Sequence, residues 1–206
     1  MTHEPDAEIA ALRDAAEVGT AFAEAYERFR PRLERAVSLR MDERVRGRID
    51  AGDVVQEAYI ECAGRIEKYL EDPPAPLYLW VRFLVLQRLL QIHRKHIGRQ
   101  ARDARREVPI DRSFGPGASS RHIAAQLVDS HTSPTQAARR AEAQLQVQDA
   151  LEEMSDVDRE ILVLRHFEQM SSADAAVVLG IEHDAARKRY LRALRRLRVV
   201  FEKFDP

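Results

Sequence analysis

Apolar positions recur along this chain at the three-to-four residue spacing of helix faces, and no stretch alternates as a strand would. Phe22, Tyr26, Phe29, Leu33 and Val37 fall at i, i+4, i+7, i+11 and i+15, one side of an amphipathic helix. Pro31 interrupts that stripe. A proline has no N–H to donate and crowds the preceding turn, so the pattern predicts a new helix start with Pro31 in its first turn. From Ile49 to Leu70, Val55, Tyr59, Cys62 and Ile66 make a second apolar stripe. On another face of the same segment Asp50, Asp53, Glu57 and Glu61 form an acidic ridge with Gln56 beside it. Residues 71–78, EDPPAPLY, are expected to be a loop, because their three prolines withhold backbone donors. Leu79 to Ile92 then reads as a helix that is apolar almost all round and therefore buried, with Trp80 a core residue rather than a base-stacking one. From His93 the same helix turns basic, HRKHIGRQARDARRE, and is expected to leave the core.

Residues 107–132 are rich in Gly, Pro and Ser, with only a short apolar patch around Ile123, Leu127 and Val128, and read as a linker. Ser133-Pro134-Thr135-Gln136 closes it with a cap, a first-turn proline and a Gln at N3, opening a helix that continues to about Met154. Between Leu151 and Glu168, Ser155 can cap with Asp158 at N3 ahead of the stripe Val157, Ile161, Leu162, Leu164 and Phe167. Ser171 or Ser172 can cap a short helix, Asp174 helps close its first turn, and Gly180 stops it. After the GIEH turn a second helix carries Ala186, Tyr190, Ala193, Leu194 and Leu197 on one side. Two short helices about a glycine turn read as a helix-turn-helix. The expected fold is all-α, two small helical domains joined by a flexible linker. Its divisions are a poorly ordered or weakly helical acidic leader over 1–20, a domain over 21–106, a linker over 107–133 and a domain over 134–206.

Charge sharpens this picture. The 206 residues are 45% hydrophobic and 33% charged with a formal net charge of −1, which argues against coating nucleic acid by bulk attraction. The charge is segregated, however. Arg82, Arg88, Arg94, Lys95, Arg99, Arg102, Arg105 and Arg106 are opposed only by Asp103, and Arg187, Lys188, Arg189, Arg192, Arg195, Arg196 and Arg198 by no acid at all. Asp149, Glu152, Glu153, Asp156, Asp158 and Glu160 balance them nearby. Such a protein is expected to bind DNA weakly alone and well within a larger assembly. The single cysteine, Cys62, fits a core position in a reducing compartment, and no apolar run is long enough to span a bilayer. An acidic start, MTHEPDAEIAALRDAAE, is unlike a secretory signal, so a cytoplasmic location is expected.

Enzymatic chemistry finds no footing: there is no nucleophile with a base, no phosphate-cradling glycine loop and no ligand set. His93 and His96 lie one turn apart, but no Cys, Asp or Glu completes a zinc site, and the acidic ridge has no His; no cofactor or metal is expected.

Three stretches together resemble the bacterial sigma-70 family of RNA polymerase sigma factors, in its small two-domain extracytoplasmic-function type. DAGDVVQEAY at 50–59 is similar to the family's polymerase clamp-binding helix. LYLWVRFLVLQRLLQIHRKH at 77–96 looks like the helix that engages the promoter's minus-ten element, and 155–198 like the domain that reads the minus-thirty-five element. Gln87 and Gln91 stand where the family commonly has Asn and Asp, and Asp184, Ala185 and Ala186 replace its usual Gly-Thr-Val, so base contacts are not carried over at those positions.

The resemblance implies a sigma region 2-like bundle and a region 4-like helix-turn-helix domain. Asp50, Asp53, Gln56 and Glu57 would bind the polymerase, their acids meeting a basic surface. Gln87 and Gln91, at i and i+4, would offer donors and acceptors to flipped minus-ten bases, with Arg94, Lys95 and Arg99 on phosphates. In the second domain His183, Asp184, Arg187 and Lys188 are the base-reading candidates, and Arg189, Arg192, Arg195 and Arg196 are expected on phosphate or acidic scaffold residues. The implied partners are core RNA polymerase, promoter DNA and an inhibitory anti-sigma regulator. A stand-alone helix-turn-helix regulator and a helical adaptor remain as alternatives, distinguished by whether the acidic ridge docks a polymerase and whether residues 134–206 bind DNA.

Overall fold

The computed structural model describes residues 5–97, 117–129 and 137–203, and every regular element among them is helical. The chain divides into two units, Met1–Pro116 and Gly117–Pro206.

The first unit begins with α1 (Pro5–Arg13) and α2 (Val18–Arg40). The start of the chain, expected to be poorly ordered or weakly helical, is a packed helix: Ile9 and Leu12 are buried, and the Arg13 guanidinium donates through Nε to the Leu70 carbonyl at 3.1 Å. Two apolar side chains a turn apart supply what the acidic composition concealed. α2 runs through Pro31 without the break expected there. An interior proline costs on the order of 3 kcal/mol. Phe22, Tyr26, Phe29, Leu33, Ala36, Val37 and Leu39 are all buried on both sides of it, at roughly 1.5–3 kcal/mol for each large side chain, so the single continuous face wins. Pro31 itself faces solvent, the side of a helix where a lost backbone bond is replaced by water.

Asp42 caps the short α3 (Glu43–Arg46), and the 49–70 segment divides at Gly64 into α4 (Ala51–Ala63) and α5 (Ile66–Glu71). The helix expected after the proline loop is α6 (Leu77–Ile97), which takes in Leu77 and Tyr78 from the end of the expected loop. Its core role is as anticipated, with Leu77, Leu79, Val81, Leu84, Val85, Leu86, Leu89 and Ile92 buried. An aromatic cluster joins α2, α4, α5 and α6. Phe22 stacks on Tyr59 at 5.9 Å, Tyr26 meets Tyr59 edge-on at 5.0 Å, and Tyr69 stacks on Trp80 at 4.5 Å. The Tyr26 hydroxyl donates to the Val55 carbonyl at 2.6 Å, tying α2 to α4, and burial pushes its pKa well above the ordinary phenol. Burial likewise pushes the Cys62 thiol up to about 12, which keeps it a neutral core filler.

In the second unit α7 (Ser120–Asp129) occupies part of the stretch expected to be linker. Ile123, Ala124, Leu127 and Val128 are buried, and α7 packs on α8 (Ala137–Glu152) with Arg140 paired to Asp129 at 2.7 Å. The apolar patch noted in that stretch is a helix face. The Ser133–Gln136 capping segment lies outside the described residues. α9 (Asp156–Leu162) follows, capped by Ser155, whose hydroxyl accepts from the Asp158 N–H. It runs into one π-helical turn, Val163–Phe167, and then α10 (Ser172–Leu179) and α11 (His183–Phe201) complete the unit.

Candidate functional site

The helix-turn-helix is built by its caps. Ser171 is the cap residue of α10: its hydroxyl accepts from the Asp174 N–H at 3.0 Å and donates to the Asp174 carboxylate at 2.7 Å. Gly180 ends the helix in the left-handed conformation, φ 61°, and the Ile181 N–H closes the turn on the Ala176 carbonyl at 3.1 Å. Glycine is favoured there, since left-handed backbone costs other L-residues on the order of 1 kcal/mol or more. The chain then turns back at once into α11, with Glu182 at its N-cap.

α11 buries Ala186, Ala193 and Leu197 and leaves His183, Asp184, Arg187 and Lys188 exposed. The last four form two adjacent i, i+4 pairs over the first turn and a half, so the structure brings together the four expected base readers on one outward ridge. Within it the His183 imidazole lies 4.0 Å from the Asp184 carboxylate. Arg192 and Arg195 are also exposed. Two other cations are engaged inside the unit. Arg189 is half-buried and pairs with Asp158 of α9 at 2.8 Å, and Arg196 donates to the Glu153 carbonyl at 3.2 Å. Arg189 was expected on phosphate or an acidic scaffold residue, and in the structure it meets the latter.

In the first unit the acidic ridge lies on α4, but its members are not equivalent. Asp50 and Asp53 form a reciprocal capping box: the Asp53 N–H donates to Asp50 Oδ1 at 2.8 Å and the Asp50 N–H to Asp53 Oδ2 at 3.1 Å. Both side chains remain exposed, as does Gln56. Glu57 pairs across to Arg88 of α6 at 2.8 Å, and Arg88 also donates to the Gln91 side-chain oxygen at 3.0 Å. Glu61 is paired with Arg65 at 2.8 Å. The ridge therefore joins the minus-ten candidates through Arg88. Ile60 was not among the expected contact residues, yet the residue is 72% exposed, and Glu57, Ile60, Glu61 and Arg88 line an open groove. Its position off the stripe of Val55, Tyr59 and Cys62 was the signal in the sequence.

Gln87 is half-buried and Gln91, Arg94 and Lys95 are exposed along α6, while Arg99 lies outside the described residues. Arg82, counted above in the basic patch, is only 1% exposed and belongs to the interior. His93 Nε2 accepts the Asp42 N–H at 3.2 Å, tying α6 to the cap of α3. Burial holds the His93 ring below its ordinary pKa against the opposing pull of Asp42. The Arg44 guanidinium beside Asp42 holds that carboxyl at about 2.

Residues 144–197, from within α8 through most of α11, match the family described as Sigma-70, region 4. The match is confined to this helix-turn-helix end of the chain, which is similar there to region 4 of sigma-70 factors. The Ser171 cap, the Gly180 turn and the exposed ridge of α11 all fall inside the matched span. The fold is similar to that of CnrH, solved in complex with the cytosolic domain of CnrY, at 20% identity and a TM-score of 0.51, covering 97% of this chain and 97% of that one. The sigma factor RpoE from Bartonella quintana, solved with the anti-sigma factor NepR, is similar at 18% identity and a TM-score of 0.48, covering 88% of this chain and 96% of that one. No curated protein matches. Among the described residues no helix is long and apolar enough to cross a membrane.

Proposed function

We propose that this chain is a dissociable sigma initiation factor of the extracytoplasmic-function type, a non-enzymatic cytoplasmic protein that binds core RNA polymerase and directs it to particular promoters. The observation that carries the reading is the region 4 match laid over a capped helix-turn-helix whose second helix presents His183, Asp184, Arg187 and Lys188 outward. An α-helix fits the major groove, where the side chains near its N-terminus reach base edges, and the later Arg192 and Arg195 suit phosphates.

In the first unit, Asp50, Asp53, Gln56 and Glu57 are the proposed polymerase-binding residues, with Ile60 as an apolar anchor among them. Charge on this rim would speed encounter and fix register, while an exposed isoleucine gains by being covered. Gln87, Gln91, Arg94, Lys95 and Arg99 are the proposed minus-ten residues. The domain reading assigns 21–106 to region 2, 107–133 to a linker that α7 already enters, and 134–206 to region 4. An inhibitory protein partner is part of the proposal; CnrH was itself solved bound to the cytosolic domain of CnrY.

Transcription in vitro tests this. Purified core polymerase plus this chain should initiate at discrete sites on a genomic promoter library, and core alone should not. Pull-down of core should fail with Asp53→Lys and weaken with Gln56→Ala. A stand-alone regulator would instead bind its operator as a dimer and leave core polymerase in the supernatant.

A further inference from the structure

We infer that Arg189 and Asp158 are positioning residues: their ion pair sets the rotation of α11 about its own axis and so aims the ridge that reads DNA. The inference rests on the region 4 reading of α11 and adds a role that the DNA surface alone does not contain. Asp158 occupies the third position of α9, only 13% of its side chain is exposed, and its Oδ1 accepts from an Arg189 guanidinium nitrogen at 2.8 Å across 31 residues of chain. Its other oxygen faces Arg192 at 4.0 Å.

The apolar side of α11 is poorly suited to fixing rotation. Two of its three buried residues are Ala186 and Ala193, and a methyl group gives a neighbouring helix little to interlock with. Beyond them, side chains that reach from α11 toward the scaffold include Arg189 on Asp158, the Tyr190 ring, which lies 5.4 Å from the Arg165 guanidinium, and, farther along the helix, Arg196 on the Glu153 carbonyl. Rotation matters because the ridge is short. Turning a helix by roughly 20° moves a side-chain tip about 6 Å from its axis by about 2 Å, more than the spread of a good hydrogen bond. Arg189 is therefore unlike Arg187 or Lys188, which stand exposed. To reach phosphate it would have to abandon a largely buried carboxylate, which is unfavourable in both directions.

The positioning role and a direct DNA contact make opposite predictions. Neutralising an acid beside a DNA-binding helix should strengthen binding on electrostatic grounds alone, because it removes repulsion from phosphate. If Asp158 aims the helix, Asp158→Asn should weaken discrimination instead. The test uses the full chain bound to core polymerase and a duplex that it enriches from a random-sequence pool, beside the same duplex with the enriched positions scrambled. Arg189→Ala and Asp158→Asn should each lower the preference for the enriched duplex by about tenfold, the scale of one lost base-pair preference. Affinity for the scrambled duplex should stay as it is, which also reports a folded chain. The slope of log affinity against log salt should not change, whereas loss of a phosphate contact would reduce it by about 0.9. Arg189→Lys, which retains the ion pair through one nitrogen, should recover most of the preference. Overturning outcomes are a reduced salt slope for Arg189→Ala, unchanged or tighter discrimination by Asp158→Asn, or a scrambled-duplex affinity that falls in step. If the wild-type chain enriches no sequence, the region 4 reading fails first and the inference with it.

Discussion

Asp50 does two jobs in this reading, and two substitutions separate them. Its carboxylate accepts the Asp53 N–H at 2.8 Å as the N-cap of α4, and it stands exposed at the start of the proposed polymerase-binding face. Asparagine caps about as well as aspartate, so Asp50→Asn should cost the fold only a few tenths of a kcal/mol, whereas Asp50→Ala removes the cap for about 1 kcal/mol. The acid's contribution to docking on a basic surface is that of an exposed charge, roughly 0.5–1 kcal/mol, or about two- to fivefold in Kd. Equilibrium urea unfolding should therefore rank wild type and Asp50→Asn together, with Asp50→Ala below them. Binding of fluorescently labelled chain to core polymerase at low salt should rank both variants below wild type, and the difference should shrink as salt screens the charge. Gln56→Ala, which touches no cap, should weaken binding and leave urea unfolding unchanged. If Asp50→Asn bound core like wild type while Asp50→Ala did not, the capping box alone would explain the acid and the docking face would have to lie elsewhere.

Other expectations follow from the same geometry. Arg187→Ala should cost roughly 1–3 kcal/mol of promoter discrimination in competition binding, while Arg196→Ala, whose guanidinium rests on the Glu153 carbonyl, should spare the preference. Gly180→Ala should destabilise the second unit by about 1–2 kcal/mol in thermal unfolding, since φ there is 61°; an unchanged melting temperature would refute the capping account. Tyr26→Phe should cost about 1 kcal/mol by urea denaturation, near the low end for a buried hydrogen bond because the Val55 carbonyl stays inside a helical turn. Acid should loosen the α3 corner. Asp42 has a folded pKa of about 2 against an ordinary 3.8, so its stabilisation is complete above the ordinary value and is lost as pH falls toward 2. Its side chain is 30% exposed, which brings the effect to about 1–2 kcal/mol. The lowered His93 acts with the same sign from below its ordinary pKa, and Asp42→Asn should flatten the acid limb between about pH 4 and pH 2.

How far the sequence could be read depended on which interactions are local. Caps and stops were legible because Ser155 with Asp158, Ser171 with Asp174, and Gly180 act within one turn of themselves. Pro31 was misread because a local rule met a longer stripe: seven residues of buried face outweigh one missing donor. The helix at 120–129 was hidden in a Gly- and Ser-rich stretch, although Ile123 and Leu127 stand at i and i+4. Arg82 was legible in principle, lying three residues after Leu79 and four before Leu86, both buried, but a cation was read by its charge and not by its register. The partners of Glu57 and Arg189 were out of reach. Each lies 31 residues from its counterpart, and no periodicity in one helix names a residue of another.

The π-helical turn at Val163–Phe167 holds one more residue than an α turn would. Each residue of a helix advances about 100°, so that extra position swings everything downstream by the same angle relative to an unbroken α-helix. Met170, only 1% exposed, enters the interior after that swing, and Ser171 begins the next helix immediately behind it. The orientation from which the helix-turn-helix half of the unit departs is thus set by a count of residues upstream. A one-residue deletion between Leu162 and Glu168 would turn the pair of helices to a new heading without altering a side chain on their surface.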